Sequence, residues 1–129
     1  MKPVLWVAIA ALAAVGGGWV WGASGKSAIE TERRTLELRA DLSEARALIL
    51  GARVHLFGLD FGSSAKSFGA ARQIVERVQI RLRESGQAER AGRAEIVLAH
   101  LKDAERMSLA LDPGAQTAAD QAVQALAKL

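Results

Sequence analysis

The chain opens on an uninterrupted apolar run. Between Lys2 and Lys26 lie 23 uncharged residues, Pro3 to Gly25. About 20 helical residues cross the roughly 30 Å hydrocarbon core of a bilayer at 1.5 Å per residue. Trp6 stands near one end of the run, Trp19 and Trp21 near the other. Trp6 and Trp21 are about 22 Å apart along a helix, which suits indoles at the two membrane interfaces. The pattern predicts a transmembrane anchor over 1–25. The competing reading is a cleaved signal peptide, with Lys2 as its basic start and Gly22 and Ser24 as small residues at a cleavage site. The length of the run and its terminal tryptophans favour a retained anchor.

After Lys26 the pattern changes to a heptad. Thr31, Thr35, Leu38, Leu42, Ala45, Ile49, Ala52 and Leu56 follow a 4-3-4-3 spacing without a proline. Such spacing makes one apolar seam on a helix. The first helix is therefore expected to continue from the membrane span as a stalk to about Phe57. Gly58 reads as its stop, and Asp60 as the N-cap of a second helix over 61–84. Leu59 is expected to staple onto that helix. Phe61, Phe68, Val75 and Leu82 repeat every seven residues in helix two, with Ala71 and Val78 beside them.

Ser85-Gly86 marks a turn. Helix three is expected from about Ala88 to Leu111, with Ala94, Val97, Leu101, Ala104, Ser108 and Leu111 as its seam. Asp112 reads as the next N-cap, with Pro113 at the first helical position. Helix four carries Ala115, Ala119, Ala122, Leu126 and Leu129. Its small side chains bury little area, so it should be the least stable element. Short connections force neighbouring helices antiparallel. The expected fold is all-α: an N-terminal transmembrane helix (1–25) leading through a stalk into an antiparallel up-down bundle of about four helices (26–129).

Two segments resemble the helical hairpins of tetratricopeptide repeats. One is Leu50-Gly51 with Gly58, Ala65 and Phe68; the other is Leu111-Asp112-Pro113 followed by Ala118 and Ala122. Their spacing departs from the 34-residue period and there is no array. The resemblance implies helix–turn–helix geometry and protein binding, not membership of that family.

Composition narrows the chemistry. The 129 residues include 26 alanines, no Cys and no Tyr. Without cysteine there is no disulfide framework, Cys zinc site, Cys nucleophile or iron–sulfur cluster. Excess alanine with few β-branched residues disfavours a β-fold. His55 and His100 fall on parallel helices at heights about 13 Å apart, too far to share a ligand. No catalytic constellation or phosphate loop is evident, so neither enzyme activity nor a metal or cofactor is expected.

Beyond residue 25 the formal charge is +2, too balanced to argue for nucleic acid. The charges are nevertheless patterned. Arg39, Arg46 and Arg53 recur every seven residues on helix one, and Glu30, Glu37 and Glu44 form an opposing stripe. The arginine row is a candidate contact for an acidic partner or lipid headgroups, beside the ordinary reading of a salt-bridged surface. Phe57 and Leu59 flank the first turn and are candidate contacts for another protein.

Within the apolar run, Ala10, Ala14, Gly18 and Gly22 recur every four residues and form a small-residue face for another membrane helix. The run carries no ionisable residue for an ion or proton relay. Positive charges flank it almost evenly. The short basic leader favours a cytoplasmic N-terminus and a periplasmic C-terminal domain, with the chain in the inner membrane.

The expected role is a non-enzymatic, single-pass accessory subunit that braces a larger membrane protein complex, whether respiratory, photosynthetic or of the envelope. Its partners would be other subunits and membrane lipid, with no small-molecule substrate. Two alternatives are a self-associating membrane-tethered adaptor and a ligand-binding periplasmic bundle.

Overall fold

A computed structural model describes the backbone from Lys2 and the side chains of residues 27–129. The elements in order are α1 (Lys2–Phe57), α2 (Phe61–Glu84), α3 (Ala88–Leu109) and α4 (Ala115–Ala127), with no strand among the described residues. The expected anchor, with Trp6, Trp19, Trp21 and the Ala10, Ala14, Gly18 and Gly22 row, lies outside the residues whose side chains are described. Among the described residues no helix is long and apolar enough to cross a membrane.

The chain divides into two compact units, Met1–Glu37 and Leu38–Leu129. In the first, the described side chains are all exposed. Thr31 and Thr35, expected in the seam, instead donate their hydroxyls back to the carbonyls of Ser27 (2.9 Å) and Thr31 (3.0 Å). A threonine can satisfy its hydroxyl within the helix in this way and needs no packing partner. Arg34 pairs with Glu30 at 3.4 Å and Arg33 with Glu37 at 3.5 Å, each one turn away.

The second unit holds the core. Ala45, Ile49, Ala52 and Leu56 of α1 are buried against Phe68, Ala71, Val75, Val78 and Leu82 of α2 and the seams of α3 and α4, while Leu38 and Leu42 are half-buried. Cross-helix bonds run in antiparallel order. Asp41 near the start of this unit meets Arg81 late in α2 (2.7 Å), and Arg53 near the end of α1 meets Asp120 early in α4 (3.5 Å). Ser64 early in α2 bonds Ser108 late in α3, and Arg90 early in α3 donates to the carbonyl of Leu129 (3.1 Å). The four helices thus alternate in direction, as short connections require.

The three exits that lead into another helix use the same device. In each, a backbone N–H reaches the carbonyl five residues back at 2.8 Å: Asp60 to His55, Gln87 to Leu82, and Asp112 to Met107. The preceding N–H reaches three residues back: Leu59 to Leu56 (3.0 Å), Gly86 to Arg83 (3.1 Å), and Leu111 to Ser108 (3.1 Å). These are Schellman motifs, whose closing residue must be left-handed. Glycine fills that place once, with Gly86 at φ 75°; leucine fills it twice, with Leu59 at 58° and Leu111 at 57°.

This corrects four expectations. Gly58 is not the left-handed stop of α1; Leu59 is, and its side chain stays 76% exposed rather than stapling onto α2. Leu111 leaves the α3 seam for the same reason, because the motif turns it outward. Asp60 does cap α2, accepting the Ser63 N–H at 3.1 Å. Asp112 does not cap α4. Its carboxylate takes the Gly114 N–H at 2.8 Å, and α4 begins after a tight turn in which Ala115 and Gln116 donate to the carbonyls of Asp112 and Pro113.

Candidate interaction surface

The antiparallel order brings the α1–α2 and α3–α4 turns to one end of the bundle. Four large apolar side chains stand exposed there: Phe57 and Leu59 (each 76%), Leu109 (70%) and Leu111 (68%). The sequence pointed to the first two. Leu111 is expected in the buried seam of helix three, and Leu109 is not singled out by the pattern. The signal that finds them is the repeated Leu-Asp pair, Leu59-Asp60 and Leu111-Asp112, which marks the two matching exits. Isolated exposed apolar residues are ordinary; four at one end of a small bundle make a candidate binding patch.

The backbone beneath the patch is costly. A non-glycine residue in the left-handed region sits roughly 1–2 kcal/mol above its right-handed alternatives. Two leucines accept this cost, and both hold their side chains out to water. Strain kept at an exposed position is a pointer to use, because packing gains nothing there.

Elsewhere the surface is neutralised by pairing. Arg72 donates to Glu105 (2.9 Å) and Glu76 (3.0 Å). The hydrogen bond to Glu105, then that to Glu76, pushes the guanidinium pKa above its usual value. Gly69 makes room for this pair, since a Cβ there would stand 3.2 Å from a Glu105 carboxylate oxygen. Asp41, mostly buried, takes Arg81 (2.7 Å) and Arg77 (3.8 Å) together. Gln79 bonds Glu95 and the Ala91 carbonyl, and Arg83 reaches Glu95 at 3.8 Å. The arginines of α2 therefore face carboxylates of their own chain.

The three arginines of α1 separate. Arg53 is half-buried, pairs with Asp120, and lends its carbonyl to Gln116 (3.2 Å). Arg39 and Arg46 remain exposed on the helix surface. Arg46 also borders a shallow groove of about 170 Å³ with Leu42, Ser43, Val123, Leu126 and Ala127. His55 lies 3.8 Å from Asp60, and no group of three metal-ligating side chains converges among the described residues.

Comparison with protein-family models, with curated proteins and with solved structures finds no match to this chain.

Proposed function

We propose that the protein is a non-enzymatic accessory subunit, anchored through Pro3–Gly25 in the cytoplasmic membrane, with its bundle braced against another subunit of a membrane protein complex. The observation that carries the reading is the apolar end of the bundle, where Leu59 and Leu111 are held outward on left-handed backbone. An end of this kind is suited to a protein partner, because burying exposed leucines contributes about 25 cal/mol per Å² of apolar area removed from water. The charge-free run, as a sequence feature, supports the anchor. The small-residue row Ala10, Ala14, Gly18 and Gly22 supports a second attachment inside the bilayer. A basic leader supports a periplasmic bundle.

The test is purification of the full chain in mild detergent, with identification of what co-migrates. Leu59→Asn and Leu111→Asn together remove the apolar side chains, and asparagine tolerates left-handed backbone, so the fold is kept. This variant is expected to lose the co-purifying subunit while retaining its helical circular dichroism. Full retention of the subunit would sink the reading.

A further inference from the structure

The seam that the first helix buries is only one of two. On the opposite side of α1, Ala40, Ser43, Ala47, Leu50, Val54 and Phe57 follow a 3-4-3-4-3 spacing, and all six are exposed. Phe57 and Val54 are 76% and 68% exposed. This is an exposed heptad seam, running about 26 Å along the helix, with only Ser43 bordering the groove beside α4 among the described residues. Its small members, Ala40, Ser43 and Ala47, allow close approach at one end. Its large members, Leu50, Val54 and Phe57, supply apolar area at the other.

The flanking charges choose the occupant. With Ala40, Ala47 and Val54 as a positions and Ser43, Leu50 and Phe57 as d positions, the g positions are Arg39, Arg46 and Arg53, and the e positions are Glu44 and Gly51. In an antiparallel pair over this seam g faces g and e faces e, which would set Arg46 against Arg53 and leave Glu44 opposite Gly51. In a parallel pair g faces the e position of the next heptad on the other helix. Arg39 of each copy then meets Glu44 of the other, twice by symmetry. Within the chain, the described part of α1 forms ion pairs through Glu30, Arg33, Arg34, Glu37, Asp41, Arg53 and His55. Arg39 and Glu44 belong to none of these.

We propose that the outer face of α1 from Ala40 to Phe57 is a homodimer interface, on which a second copy of this chain docks parallel and in register, with Arg39 paired to Glu44 across the two-fold axis. The pairing is independent of the bracing role. It uses the helix flank and shares only Phe57 with the end patch, whose bracing contact is carried by the turns at Leu59 and Leu111.

The absence of cysteine makes the test direct. Ala40→Cys, Val54→Cys and, as a control on the exposed surface of α2, Ile80→Cys are each made in the full chain, held in detergent, and mildly oxidised. A disulfide requires Cα atoms within about 7 Å. Positions 40 and 54 are about 21 Å apart along the helix, so an antiparallel pair links with itself at one of them at most. The expected result is a cross-linked dimer at both Ala40→Cys and Val54→Cys and none at Ile80→Cys. In sedimentation, Glu44→Arg should weaken the dimer at least tenfold, and adding Arg39→Glu should restore it. Linking at only one of the two positions, equal linking at position 80, or a monomer across the concentration range would overturn the proposal. So would a dimer that survives Val54→Glu unchanged. Leu59→Asn with Leu111→Asn should leave the dimer intact, so this proposal and the bracing contact fail separately.

Discussion

The hydroxyls of Ser64 and Ser108 lie 2.9 Å apart, both fully buried, and tie the start of α2 to the end of α3. Each hydroxyl has the other as its side-chain hydrogen-bond partner. Removing one partner leaves a buried hydroxyl unsatisfied, at a cost of about 1–3 kcal/mol, whereas removing both is close to neutral. Ser64→Ala and Ser108→Ala are therefore each expected to destabilise the bundle, and the double variant to recover most of the loss. A urea-unfolding double-mutant cycle measures this. Additive losses would show that the two hydroxyls act independently.

Among the described residues Phe68 is the largest fully buried side chain, and it sits mid-seam between Phe61 and Val75. Phe68→Ala should cost about 3–5 kcal/mol, a large share of a small domain's stability. Loss of the cooperative thermal transition near its normal midpoint is the expected outcome. An unmoved midpoint would show that this residue does not anchor the core.

Leu59 and Leu111 occupy the place that Gly86 occupies in the third exit. Leu59→Gly or Leu111→Gly should each stabilise the bundle by about 0.5–1 kcal/mol, because relief of left-handed strain outweighs the added freedom of the unfolded chain. Gly86→Ala should move stability the other way by a similar amount. Chemical denaturation midpoints of the three variants separate these effects. A stabilised Leu111→Gly variant that no longer binds its partner would show that the strain is kept for function.

Hydrogen bonds from Ser63, its side chain first and its backbone N–H second, hold the Asp60 pKa below the ordinary value of 3.8, and the nearby His55 and Lys66 act in the same direction. A carboxyl group with a depressed folded-state pKa contributes stability above its unfolded pKa and loses it as the pH falls through the folded one. Asp60→Asn keeps a capping side chain but cannot ionise. Native protein should therefore be the more stable near neutrality, with its advantage shrinking below pH 3.8 and vanishing once the folded-state group is protonated. Unfolding midpoints of the two proteins across the acid range test this; a pH-independent difference would remove the charge from the account.

Helix number, the end of α1, the limits of α2 and its core were legible in the sequence because they depend on neighbours three and four residues apart, whereas α3 ends at Leu109 rather than Leu111 and α4 begins at Ala115 rather than Pro113. The 61–84 span of α2, the end of α1 at Phe57 and the burial of Phe68, Val75 and Leu82 all follow from that local spacing. Three things required the tertiary structure. The 4-3-4-3 spacing already marked Ala45, Ile49, Ala52 and Leu56 as the inward seam of α1. Packing added that a second apolar row, Leu50, Val54 and Phe57, stays exposed. The left-handed exits at Leu59 and Leu111 run against residue preference, so glycine at position 58 misled by one residue. The two turns are more than fifty residues apart along the chain. Only the alternating direction of the helices brings their leucines to one end, because a chain-local pattern carries no information about which distant segments become neighbours.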